Sequence, residues 1–343
     1  MVAQPGPPAL GRGGELSAVE GQERAGRVAV VAAARRVEIS RRSTPPPAPG
    51  QVRVVVEGCG VCGSNLPVWE GRPWFDYPLA PGAPGHEAWG YVEAAGEGAG
   101  AATPIGARVA FLCDNAFADY VEVPAEHLVP LPQELDGQPF PGEALGCGFN
   151  VAQRSGFAPG QIVCVIGIGF LGAVIAACAA SRGAHVIAVS RRPFALDIAT
   201  SMGAKETLRL RDGQSLVDEV STLTGGRLCD VVVEAVGAQG PLDLAGELTA
   251  QGGRLVIAGF HQDGPRSLDV QLWNWRGIDV INAHERDPRV RLRGIEQAVA
   301  AVADGTLDPT PLYTHTYPLE QLAEGMDALV ERPDGFLKAL VRQ

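Results

Sequence analysis

The alternation of apolar and polar positions changes character part-way along the chain. Residues 27–58 carry short β-rich runs, RVAVVAA and QVRVVVEG, separated by the breaker cluster STPPPAPG, which predicts hairpin-like all-β structure. Runs of the same kind, RVAFLC and FADYVEVPA, continue to about Pro132. From Gln161 the rhythm turns to strand, helix, strand: IVCVIGIG, a helix to Arg182, HVIAVS, a helix over PFALDIATSMGA, DVVVEAVG, a helix over PLDLAGELTA, then RLVIAGF. Such alternation predicts an α/β fold with a parallel, doubly wound sheet. IDVINA follows at the edge of that sheet, and the helix-like RLRGIEQAVAAVADG leads back towards the first domain. The chain therefore divides into a tail over 1–25, a β domain over 26–147, a sheet domain over 148–282 and a return over 283–343.

Residues 162–181 carry no charge and reach the length of a membrane span. Gly167, Gly169 and Gly172 fall inside that run, however, and a buried parallel strand, a turn and a helix packed on the sheet produce the same stretch. No membrane segment is expected.

Composition narrows the partners. A chain of 343 residues, 46% apolar and 20% charged, is long enough for two domains. Its formal net charge of -11 speaks against nucleic acid, because phosphate binding needs a basic face. The first 25 residues lack a basic start followed by an apolar core, so they read as a flexible tail and not as a signal peptide. Seven cysteines, an odd number without a regular framework, point to a reducing cytoplasm. Cys59 and Cys62 form a C-x-x-C pair, but no second pair completes four thiolates. Cys59, Cys164, Cys178 and Cys229 are expected as small core residues.

Two motifs carry chemistry. Gly167-Ile168-Gly169-Phe170-Leu171-Gly172 follows an apolar strand and opens a helix. There Gly167 permits a tight turn, Gly169 lets a pyrophosphate approach the backbone, and Gly172 allows the helix to pack closely, with its N-terminus towards the phosphates. At the end of the next strand, where an NAD enzyme usually offers an acidic residue to the ribose, stands Ser190-Arg191-Arg192. A hydroxyl and guanidinium groups suit a 2′-phosphate, which favours NADP(H). The alternative is NAD(H) with two solvated arginines. The second motif, Gly85-His86-Glu87 preceded by Cys62-Gly63-Ser64-Asn65, offers an imidazole, a carboxylate and a thiolate, the ligand chemistry of a zinc left open on its fourth side. A metal and a dinucleotide together point to metal-assisted hydride transfer.

The stretch GHEAWGYVEAAGEGA, with the Cys62 turn and the glycine turn, resembles the zinc-dependent medium-chain dehydrogenase/reductase family, which includes alcohol, sorbitol and threonine dehydrogenases. The likeness runs from about Arg27 to the C-terminus. It implies a chaperonin-10-like β-barrel that holds the metal on its loops, beside a Rossmann sheet. Position by position it implies Cys62, His86 and Glu87 as zinc ligands and Glu143 as the fourth candidate, with Cys147 an alternative. It places Ser64 where a hydroxyl carries the substrate proton, against the alternative of a turn-stabilising serine. A structural zinc lobe is not implied, since the interval where relatives carry four cysteines offers only Cys113.

Two positions depart from the family. Asn65 stands where an Asp usually orients the His ligand, and Pro67 where many alcohol dehydrogenases have a relay His. Trp69 and Asn115 are the substrate-facing candidates, ahead of Trp74, Phe75, Tyr77 and Phe111. The implied assembly is a homodimer or homotetramer formed through the sheet edge. The expected reaction passes a hydride between NADP(H) and a secondary alcohol or polyol and its carbonyl partner. One rival is a zinc-free NADPH reductase of quinones or activated double bonds. The other is a nucleotide-binding protein without turnover, which only Asn65 and Pro67 leave open.

Overall fold

A computed structural model describes residues 23–100, 103–211 and 216–343. The run IVCVI, apolar throughout, becomes the strand Ile162–Ile166, covered on both faces as a central parallel strand requires. Around it lies a six-stranded parallel sheet in the order Glu206–Arg209, His185–Ser190, Ile162–Ile166, Cys229–Glu234, Thr249–Ile257, Asp279–Asn282. Counted along the chain this order is 3-2-1-4-5-6, the Rossmann arrangement, whose reversal opens a ligand crevice at the C-terminal ends of the strands. Asp279–Asn282 is the edge strand, as expected. The uncharged run at 162–181 divides into that first strand, the glycine turn and the helix Phe170–Ser181. No helix among the described residues is long and apolar enough to cross a membrane.

The β-rich first part forms a seven-membered antiparallel-dominated sheet with Gln51–Val61 as its hub, pairing with Glu87–Ala95, Tyr120–Pro124 and Ala339–Arg342. Arg108–Phe111 and Leu128–Pro130 extend it on one side, and His315–Pro318 lies parallel to Ala339–Arg342 on the other. The chain thus returns to the domain in which it started. Arg24–Ala33 and Arg36–Thr44 form a hairpin laid against this barrel, with the Ala29 N–H donating to the Phe117 carbonyl at 2.9 Å. Most of the expected N-terminal tail lies outside the described residues, and Arg24 already opens a strand.

Helix Gly142–Ser155, which the apolar pattern does not announce, runs through residues 147 and 148, where the sequence places the division between domains. It packs closely on two other helices. A Cβ on Gly148 would come within 2.4 Å of Val174 in the helix Phe170–Ser181, and one on Gly146 within 2.8 Å of the Ile295 nitrogen in the helix Pro288–Ala303. One apolar core accordingly continues from Trp89 and Ala110 of the barrel through Leu145 and Phe149 to Val165 and Val174 of the sheet domain.

Candidate active site

Cys62 follows the strand Gln51–Val61 and caps a short turn at Gly63–Asn65. Antiparallel pairing of Gly60 with Glu87 sets that turn beside the segment that delivers His86. One ligand atom from each of Cys62, His86 and Glu87 lies within 4.8 Å of the others, the one such group of three among the described residues. Sulfur, imidazole nitrogen and carboxylate oxygen in a half-buried to buried setting fit a zinc ion.

The departure at Asn65 acquires a physical account. Asn65 Oδ1 accepts the Cys62 N–H at 2.9 Å, and Nδ2 donates to the Pro84 carbonyl at 3.2 Å. The same carbonyl lies 2.8 Å from His86 Nδ1. One oxygen therefore ties both ligand loops together and orients the imidazole, leaving Nε2 for the metal. A carboxylate at 65 could not make the donation.

Glu87 is 1% exposed and pairs with the buried ammonium of Lys338, a residue that the sequence did not single out. The register that pairs Ala339 with Val61 sets Lys338 next to Cys62. Burial pulls the Lys338 pKa down, but Glu87, Cys62 and Glu143 outweigh it and hold the ammonium above its ordinary value. Its Nζ also lies 4.8 Å from the centre of the Phe170 ring. Glu143, at the start of the helix Gly142–Ser155, lies outside the group of three. Its Oε1 accepts from Arg291 Nη2 at 2.9 Å and from the Cys147 thiol at 3.3 Å. Burial would raise the Glu143 pKa, but His86 and Arg291 hold it below the usual carboxylate range. Burial and the Glu143 charge keep Cys147 a thiol. Burial likewise depresses His86, yet Cys62, Glu143 and Glu87 outweigh that and carry it up to about 10, so a metal ion entering here displaces a proton.

Facing this cluster, Gly167 turns at φ 95°, and a Cβ on Gly172 would come within 2.0 Å of the Gly167 carbonyl, so both glycines are required. The side of Gly169 is open, with nothing within 4 Å. The helix that follows has no side-chain cap and no acidic residue in its first turn, so its N–H groups are free for an anion. A dinucleotide pyrophosphate fits that cradle.

Residues 48–133 match the alcohol dehydrogenase GroES-like domain and residues 171–294 the zinc-binding dehydrogenase domain. The chain is 26% identical to the sorbitol dehydrogenase of Bacillus subtilis (strain 168) over 92% of its own length and 96% of the relative's. It is also 26% identical to L-threonine 3-dehydrogenase of the same strain, over 81% and 88%. Among solved structures, 2R,3R-butanediol dehydrogenase from Bacillus subtilis superposes with a TM-score of 0.81 at 25% identity, covering 93% of this chain and 99% of that one. The chain belongs to the zinc-dependent medium-chain dehydrogenase/reductase family.

This dehydrogenase is accordingly an NAD(P)-dependent oxidoreductase of alcohols. Its remaining expected site residues fall in different places. Ser64 is half-buried in the turn beside Cys62, and among the described residues its hydroxyl has no hydrogen-bond partner. Trp69 does not face a substrate: it is 1% exposed in the barrel core, and its indole N–H donates to Asp327 at 2.8 Å. Phe111 is core as well, and the Tyr77 hydroxyl donates to the Val68 carbonyl. Asn115 lines a cleft with Arg27, Arg42, Pro81 and Tyr120, and its own backbone lies against Gly82 in the turn that leads to His86. Arg191 is exposed at the cofactor crevice. Arg192, by contrast, directs its guanidinium to the Ile168 and Phe336 carbonyls. Arg291 and Lys338 were invisible in the sequence because their partners, Glu143 and Glu87, lie 148 and 251 positions away. The one signal for Lys338 was a lone cation at the head of the apolar run ALV.

Proposed function

We propose that this dehydrogenase uses zinc and NADP(H) to interconvert a secondary alcohol or polyol with its carbonyl partner. The observation that carries the reading is the convergence of Cys62, His86 and Glu87 at one side of Lys338, whose ammonium also lies over Phe170 at the head of the cofactor helix. Metal donors and dinucleotide cradle thereby border one crevice. Zinc bound to Cys62 and His86, with Glu87 beside them, would lower the pKa of a substrate hydroxyl and polarise a carbonyl. The chain supplies the rest. Gly169 and the helix N-terminus hold the pyrophosphate, and Asn65 and Pro84 fix the two ligand loops. Ser64, beside Cys62, takes up and returns the substrate proton, and its partial exposure lets that proton pass to water where Pro67 offers no onward group. Arg291, oriented by Glu143, presents further N–H donors to a hydroxylated substrate, in keeping with the sorbitol and L-threonine 3-dehydrogenases among the relatives.

Assembly as a homodimer is part of the reading. Among the described residues the edge strand Asp279–Asn282 has one unpaired side, and Trp275, 87% exposed, with exposed Val270 and Val280, supplies apolar surface on the same element group. All seven cysteines are free, which suits a reducing compartment.

Protein purified without chelator should contain about one zinc per chain, matching the single ligand group. Elemental analysis showing no metal, with chelator-insensitive turnover, would promote the zinc-free reductase instead. Ser64→Ala should retain zinc and cofactor but lose about 10²-fold or more in turnover, the scale of a lost proton-transfer group. Wild-type turnover in that variant would remove Ser64 from the proton path.

A further inference from the structure

Four guanidinium groups from three segments meet at the C-terminal end of the strand His185–Ser190. Arg191 and Arg192 follow that strand directly. Arg209 ends the neighbouring strand in register with Ser190, and its Nε donates to the Arg191 carbonyl at 3.3 Å. The fourth, Arg332, comes from the barrel domain, where it terminates the helix Leu322–Glu331. Arg192 ties that region down, because its guanidinium bonds the Phe336 carbonyl on one side and the Ile168 carbonyl of the glycine turn on the other. The segment 332–336 is thus docked against the crevice where the ribose end of a dinucleotide would lie.

None of Arg191, Arg192, Arg209 and Arg332 pairs with a carboxylate among the described residues. That is unexpected in a chain with 39 acidic and 28 basic residues. Burial and then the charge of a neighbouring arginine depress the pKa of both Arg192, which feels Arg332, and Arg332, which feels Arg191. Like charges held together in this way await an anion. The backbone of Arg332 adds to the case. It sits at φ 48° in the left-handed region, at a helix end that glycine fills most easily, so any side chain there carries a backbone cost that glycine would not.

We infer that Arg332 reaches across the domain boundary and, with Arg191 and Arg209, forms the site for the 2′-phosphate of the cofactor, while Arg192 is a strut that docks the barrel segment and does not touch the phosphate. This rests on the NADP(H) reading above and changes its residue assignment. Recognition of the 2′-phosphate then involves both domains, not the sheet domain alone.

The test is calorimetric titration of the full chain with two fragments, adenosine 2′,5′-bisphosphate and 5′-AMP, which differ only in the 2′-phosphate. Wild type should bind the bisphosphate more tightly by tenfold or more. Arg332→Gly, which suits the left-handed backbone, should lose about tenfold in bisphosphate affinity and leave 5′-AMP unchanged. Arg332→Lys, which keeps the charge, should retain most of the preference. Arg192→Gln should weaken both fragments equally or lower Tm without altering their ratio. If wild type binds the two fragments alike, the NADP(H) reading itself fails. If wild type prefers the bisphosphate and Arg332→Gly, folded by circular dichroism, keeps the full preference, the cross-domain arm is overturned while NADP(H) stands. Selective loss of the preference in Arg192→Gln would overturn the strut assignment.

Discussion

Cys62→Ala should lose its zinc and about 10³-fold or more of its turnover, because even the partners that merely orient metal ligands are worth 10- to 100-fold. The same variant should keep its fold. Cys62 is only half-buried, and the hydrogen bond that anchors its turn comes from its backbone N–H to Asn65 Oδ1, which alanine preserves. The cofactor cradle also stands on other residues, Gly167 to Gly172 and the helix behind them. Metal content, turnover and NADPH binding measured on one preparation separate these effects. A zinc-loaded or fully active Cys62→Ala would show that the thiolate is not a ligand.

In metal-free protein, Lys338→Met should be the most destabilising single change at the site, by about 3–5 kcal/mol, since it leaves the Glu87 carboxylate buried without its cation. Methionine keeps the length and apolar stem of lysine, so the loss measures charge and not volume. Chemical denaturation would read it as a lower midpoint at unchanged slope. Adding Glu87→Gln should restore much of the stability, because no bare charge then remains inside. The sign with pH follows from the raised Lys338 pKa. Its folded value lies above the ordinary 10.5, so the ammonium's contribution is complete below that pH and is lost only as pH climbs through the folded value. A single variant as stable as wild type would mean that Glu87 finds another partner.

Much of the architecture was legible in the sequence, for reasons that can be named. The strands Ile162–Ile166, His185–Ser190 and Cys229–Glu234 are buried on both faces, which forces apolar runs that no surface element would tolerate. The glycine turn was legible because its spacing answers to sterics within six residues, as at Gly172 against the Gly167 carbonyl. Helix Gly142–Ser155 was not, since three glycines in GEALGCGFNVAQRS lower its helical propensity and are there for contacts with Val174 and Ile295 that lie far along the chain.

The site divides along the same line. Cys62, His86 and Glu87 come from two loops joined by one strand pairing, and the sequence brings them together. Trp69 misled because nearness to Cys62 along the chain says nothing of direction. The turn Leu66–Trp69 points it into the core, towards Asp327. Arg191 and Arg192 looked equivalent as neighbours. Only the docking of Phe336, 144 positions away, distinguishes them.

The close contact of helix Gly142–Ser155 with Val174 bears on how substrate range can change in this protein. Its first turn carries Glu143, within reach of the His86 charge, and its middle rests directly on the helix that begins at Phe170. The separation between the chemical centre and the nucleotide cradle is therefore set by one rigid gauge block with glycine-thin seams, independent of any connecting loop. Surface loops around the crevice can lengthen, shorten or exchange side chains without resetting that distance. Selection for a new substrate has free play there, whereas a single methyl group added at Gly148 would shift the calibration for every substrate at once.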